Sequence, residues 1–185
     1  MKKYIMMLLV FLTISNLEAY SYASAGKEPT IDAKEQITEA INKDDFEQAL
    51  KIFKSNERNY KYLTKEFTSS LYLGLQNALK NKDKKQTIKY LELSLAAEIQ
   101  RRIDGGLENI KNYNVAKVMV LKAKKFYTLL SIGLDKEQDE QLKTAINNCI
   151  VAIGNPGLFG VGSKPSNEDA YKINQKIIIE IIQSL

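Results

Sequence analysis

The chain has 185 residues, enough for one domain and short for two. It is 44% hydrophobic and 26% charged with only 3 Pro and 9 Gly, the balance of a folded globular protein and not of a disordered or fibrous one. Its absences exclude more: no His means no Ser-His-Asp or Cys-His nucleophile, no histidine metal ligand and no histidine-ligated haem, and a single Cys permits neither an internal disulfide nor a cysteine zinc site.

The first segment reads as an address. Lys2 and Lys3 form a basic start, residues 5–14 are apolar apart from Thr13, and a polar stretch with small residues follows. That is the layout of a secretory signal peptide over residues 1–25, cleaved after Ala25 or Ala23, with a single all-helical domain expected over 26–185. The apolar run is too short to cross a hydrocarbon core, which takes ~20 residues. No Cys adjoins the cleavage zone, so lipid attachment there is excluded. No later segment reads as transmembrane; residues 177–182 come closest, and Glu180 interrupts them. Cleavage after Ala25 removes Lys2, Lys3 and Glu18 and takes the net charge from +5 to +4. The lysine-rich, isoleucine-rich composition and the leader together predict a bacterial periplasmic or secreted protein.

Helical periodicity runs through the remainder. Residues 32–42 place Ile37, Ala40 and Ile41 on one face. An Asn42-Lys43-Asp44 turn follows, with Asp44 expected to cap a second helix carrying Phe46, Ala49, Leu50 and Phe53. A polar and aromatic connector at 59–62 leads into one long helix over about 64–80, through Phe67, Leu71, Leu75 and Ala78. After Asn81-Lys82-Asp83 a helix runs to about residue 103, striped by Ile88, Leu91, Leu95, Ile99 and Ile103 and stopped by Gly105-Gly106. The helix over about 113–132 is apolar around much of its circumference and is the expected central helix. Asp135 caps the next, with Leu142, Ala145, Ile146, Cys149 and Ile153 inward. A glycine-rich loop over 154–165 precedes a last helix opened by Ser166, with Ala170, Ile173, Ile177, Ile178 and Ile181 inward. The fold class is all-α: an irregular bundle of about six or seven antiparallel helices. Its first half carries an echo, Asn-Lys-Asp turns spaced by 38–39 residues. These hairpins are loosely similar to tetratricopeptide-type repeats over residues 32–95. The aromatic and small-residue signature of those repeats is not met, and the similarity assigns no functional residue.

Several constellations could carry chemistry. Glycines at 154, 157, 160 and 162 do not form a phosphate loop, because Ser163 precedes Lys164, Pro165 follows and the preceding element is helical. Leu158, Phe159 and Val161 are expected to tuck into the core, with a loop folded over a cleft as the functional alternative. On the helix ending near 103, Glu92 and Arg102 fall within the apolar arc. Glu98 lies off it, three and four residues from Arg101 and Arg102 and able to pair with either. Structural ion pairing is the plain reading, and oxygen ligands for a cation the functional one. Residues 54–65 mix Lys54, Arg58, Lys61 and Lys65 with Tyr60 and Tyr62, which export turns away from nucleic acid and toward an anionic envelope component. Cys149, mid-stripe, is expected to be a buried, inert thiol.

These readings predict an exported, non-catalytic helical protein without cofactor or bound metal. It would act as an interaction or scaffold module in the cell envelope, its partner an envelope protein or an anionic component. The alternative is a periplasmic small-ligand or metal-binding accessory of envelope transport. The residues expected to form a ligand or partner site are Glu92, Glu98, Arg102, Phe159 and Lys164.

Overall fold

A computed structural model describes residues 28–130 and 134–185; the expected signal peptide lies outside them. Eight helices account for most of the described chain: α1 (Pro29–Asn42), α2 (Phe46–Ser55), α3 (Glu57–Glu66), α4 (Leu71–Lys80), α5 (Lys84–Glu108), α6 (Tyr113–Leu130), α7 (Lys136–Ala152) and α8 (Glu168–Gln183). Among the described residues no strand forms, and the only β pairing is two isolated bridges between α7 and α8.

Short polar side chains set the helix starts. The carboxylates of Asp45, Asp83 and Asp135 accept from the backbone N–H three residues on, and the Asn167 amide oxygen does the same for Ala170. The echo in the sequence is a duplicated turn. The Asp44 and Asp45 N–H groups donate to Ile41 and Ala40 carbonyls at 3.1 and 2.9 Å, and those of Lys82 and Asp83 to Leu79 and Ala78 at 3.2 and 2.9 Å. Each is a Schellman turn with a left-handed residue, Asp44 or Lys82, at its pivot. Because Asp44 occupies the pivot, Asp45 and not Asp44 caps α2. Likewise Asn167, one residue after the expected Ser166, caps α8.

The described residues form one helix more than the upper expectation because the region read as a connector and a single helix over 59–80 is two helices. Thr64 Oγ1 donates to the Tyr60 carbonyl at 2.8 Å and accepts the Tyr72 N–H at 2.9 Å. The hydroxyl-rich Thr68-Ser69-Ser70 stretch lies in the break, where such side chains favour turns over continued helix. A second difference is that Gly105 and Gly106 lie inside α5, which continues to Glu108. Gly106 is a contact residue: a Cβ there would collide with the hydroxyl of Tyr171, which donates to the Ile103 carbonyl at 2.8 Å.

α5 is the spine of the molecule, a place the sequence assigned to α6. Leu91 and Ala97 belong to a core shared with α1 to α4, whereas Leu95, Ala96, Ile99 and Ile103 belong to a core shared with α6 to α8. In the second half α5 packs on α6, α6 on α7, α7 on α8, and α8 back on α5, closing a four-helix ring. In the first half α1 and α4 both lean on α5, and α2 fills between them. Three helical positions expected in the core are outside: Ile88, Ile173 and Ile177 are exposed. Among the described residues no helix is long and apolar enough to cross a membrane.

Candidate functional site

The loop between α7 and α8 is an ordered hairpin that points its apolar side chains outward. Asn155 and Lys164 exchange both backbone hydrogen bonds, at 2.9 and 2.7 Å, and so do Leu158 and Val161, at 3.2 and 3.0 Å. Phe159 and Gly160 between them have φ of +51° and +82°, so the tip is a two-residue turn with both central residues left-handed. Gly157 is required: a Cβ there would strike the backbone of Val161 and Ser163. The Asn155 side chain accepts from the Gly157 N–H at 3.0 Å, and the Asn167 N–H donates to the Ala152 carbonyl at 2.7 Å, clamping the base. Leu158, Phe159 and Val161 are 76%, 98% and 79% exposed, which corrects the expectation that they enter the core. Alternate pairing and left-handed tip residues turn them away from the bundle. The base of the hairpin forms a cleft of about 330 Å³ whose lining includes Lys111, Tyr113, Lys164 and Pro165.

Glu98 and Arg102 belong to a separate, buried ionic network at the seam of the two cores. Glu98, 2% exposed, accepts from Thr30 Oγ1 at 2.8 Å and pairs with Arg101 Nη2 at 2.7 Å. Arg102 Nη2 lies 2.9 Å from Glu28 and 3.9 Å from Glu98. The second Glu28 oxygen faces Lys122 Nζ on α6 at 3.1 Å, and Asn59 of α3 donates to Thr30 at 2.7 Å. The Arg101 guanidinium lies over Tyr62 and that of Arg102 over Phe126. Two carboxylates thus meet three cations on three segments of chain, and Asn59 of α3 joins through Thr30. The network ties the start of α1 to α3, α5 and α6, and both carboxylates are closed off from solvent. Glu98, placed off the apolar arc by its phase, is buried because α5 is covered on two sides.

Glu92 stands apart from the network. It lines a cleft of about 270 Å³ with Lys89, Leu93, Leu130, Leu134 and Leu185, an apolar floor with one charge of each sign at its edge. Lys164 is exposed at the hairpin base. Of the five expected site residues, then, Glu98 and Arg102 meet, Phe159 and Lys164 share the hairpin, and Glu92 is alone. Among the described residues no group of three His, Cys, Asp or Glu side chains could hold a metal ion.

The remaining polar groups are structural in their contacts. Cys149 is buried in the second core, and burial pushes its thiol up to about 12. Tyr127 is raised to about 12, by burial first and then by its 2.7 Å bond to Asp139. Burial raises the Asp104 carboxyl as well, opposed by the hydrogen bond it accepts from Gln175. In the basic and aromatic segment, Tyr60 is fully buried against Phe53, while Lys61 pairs with Glu57 at 2.8 Å.

Glu28, Thr30, Asn59 and Lys122 were not expected at any site. Partners in this network lie 68, 74 and, for Glu28 and Lys122, 94 residues apart in sequence, which no local pattern encodes. The exposed tip had a readable signal, the Phe159-Gly160 pair between Leu158 and Val161, but its first position is one where Asn or Gly is usual. Compared with known protein families, characterised proteins and solved structures, the chain matches none.

Proposed function

We propose that this is an exported, non-catalytic interaction module of the cell envelope, and that the hairpin between α7 and α8 is its contact surface. The observation that carries this reading is three apolar side chains more than three-quarters exposed on a hydrogen-bonded turn. They contribute no packing to the fold, and Phe159 holds a left-handed conformation that a bulky side chain adopts only at a cost of about 1–2 kcal/mol. A segment selected for folding alone would place Asn or Gly there and polar residues beside it.

Two measurements test the proposal. The intact mass of protein isolated from its native compartment should correspond to a chain beginning at Ser24 or Gly26; retention of residues 1–19 removes the export reading. The triple variant Leu158→Ser, Phe159→Ser, Val161→Ser should keep its thermal midpoint yet shift from the envelope fraction to the soluble fraction. A variant that fractionates like the native chain would remove the hairpin as contact surface.

The Glu92 cleft supports a second reading, a small-ligand accessory of envelope transport. There an expected site residue faces an apolar lining together with a cation, Lys89. Ligand-dependent stabilisation in a thermal-shift screen of divalent cations and small carboxylates, lost in Glu92→Gln, would favour it.

A further inference from the structure

The hairpin's geometry also limits what it can contact. We propose that its tip is a membrane-interface anchor: Leu158, Phe159 and Val161 enter the apolar edge of an anionic lipid surface, and Lys111 and Lys164 meet the phosphates. This rests on the hairpin being the contact surface, and names what it touches.

Four observations favour lipid over a folded protein. First, the surface is convex and small, one two-residue turn with a flanking residue on each side. A stable protein interface needs roughly 800 Å² from each partner, with its apolar anchors seated in pockets. A lipid surface needs only a few apolar side chains at acyl depth.

Second, charge is arranged for an anionic plane. Residues 154–167 hold Lys164 and no carboxylate. Lys111 lines the same basal cleft, and Lys117 sits 5.3 Å from the ring of Tyr113, also in that lining. The acidic side chains next in the chain begin α8, where Glu168 pairs with Lys172 at 2.6 Å and also feels Lys111, and Asp169 follows it. Lysines near a leaflet surface each strengthen attraction to anionic lipid, and tyrosine favours the headgroup level.

Third, the backbone suits a medium poor in water. Leu158 and Val161 satisfy each other's N–H and C=O groups, so insertion does not strip those four of their partners. Fourth, the tip is preformed: two cross-strand pairs present the three side chains outward from one turn.

The chain contains no Trp, so Phe159→Trp places a single indole at the tip. The exported protein, its leader confirmed absent by mass, is titrated with vesicles of phosphatidylcholine alone and of phosphatidylcholine with 30% phosphatidylglycerol. The expected result is a blue shift and quenching by lipids brominated on the upper acyl chain, with the anionic vesicles. Lys111→Gln and Lys164→Gln should each lower the partition coefficient about fivefold. Phe159→Asn should lower partition, measured by sedimentation, at least ~tenfold, while the thermal midpoint stays level or rises.

Tip emission unchanged by either vesicle overturns the inference. If the serine triple variant nevertheless leaves the envelope fraction, the occupant is a protein and the contact-surface reading stands. Emission already blue-shifted without lipid would mean that a second copy of this chain covers the tip. That also overturns it. Equal quenching on both vesicle types would overturn the role of the lysines.

Discussion

Glu28 is the residue on which the seam between the two cores can be tested most directly. It is 3% exposed and pairs with Arg102 at 2.9 Å and Lys122 at 3.1 Å, themselves only 13% and 15% exposed in their side chains. Its backbone carbonyl also accepts the Ile31 and Asp32 N–H groups at 2.9 and 3.1 Å, so it opens α1 as well. Glu28→Gln keeps the shape and the backbone bonds and removes only the charge. Breaking a buried pair from one side costs about 3–5 kcal/mol, because the remaining charge stays desolvated. Glu98 still lies 3.9 Å from Arg102, so the lower end, about 3 kcal/mol, is expected. For a chain of this length that corresponds to a thermal midpoint lower by roughly 6–12 °C.

Urea unfolding at 25 °C followed by circular dichroism measures the loss. Two controls give it meaning. Glu39→Gln, which breaks the exposed 2.6 Å pair with Lys43, should move the urea midpoint little, and less still in 0.5 M salt. The cost of Glu28→Gln should be nearly independent of salt. In the double variant Glu28→Gln, Arg102→Met, part of the loss should return, since the Arg102 charge is no longer buried opposite a neutral side chain, while Lys122 still loses its Glu28 pair. A Glu28→Gln loss below 1 kcal/mol, or one that salt screens away, would refute the network as a buried seam.

Three further outcomes follow from particular contacts. The Cys149 thiol is held neutral to about 12 when folded and ionises near 9 when unfolded; between those values the folded state binds the extra proton, so stability falls as pH rises, by up to ~1.4 kcal/mol per unit. Urea midpoints at pH 8.5 and 9.5 should therefore fall more in the native chain than in Cys149→Ala, and equal slopes would mean the thiol is not buried. Gly106→Ala should cost about 1–3 kcal/mol by urea unfolding through collision with the Tyr171 hydroxyl, and should cost less in a Tyr171→Phe background; additive losses would place the strain elsewhere. Glu92→Gln should change unliganded stability by no more than ~0.5 kcal/mol, because its side chain is half-buried beside an open cleft; a loss above 2 kcal/mol would make it a core charge.

What could be read from the sequence was what is local. The cap at Asp135, the paired Asn-Lys-Asp turns and the α7 stripe of Leu142, Ala145, Ile146 and Cys149 all involve residues within a turn or two of one another, and all form as expected. The misplaced elements are those whose environment is set from a distance. Helical phase marks one apolar arc on α5, but two cores cover it from two directions, so Glu98 is buried and Ile88, near the helix start, is not. Gly105-Gly106 looked like a helix stop, because close approach by a Tyr171 some 65 residues later leaves no local trace. The expected site failed to assemble for the same reason: Glu92 and Arg102 share a helix, and the partner that fixes Arg102 is at the start of α1.

The hairpin and the ionic network depart from plain folding economy in opposite directions. The network places charges in the interior, a costly choice that its ion pairs and hydrogen bonds offset, and in return it fixes how α1, α3, α5 and α6 meet. Its value is visible within the molecule. The hairpin places apolar groups in water on a strained turn and receives nothing from the molecule in exchange: Leu158, Phe159 and Val161 touch no core, and the glycines that hold them outward weaken any other structure the segment could adopt. Local sequence and global fold agree over most of this chain, and a functional surface is where that agreement is expected to break. Of the two departures, only the hairpin is left without compensation inside the fold. That asymmetry is why contact with another surface is assigned to Phe159 and its neighbours, and not to the buried charges of Glu98 and Arg102.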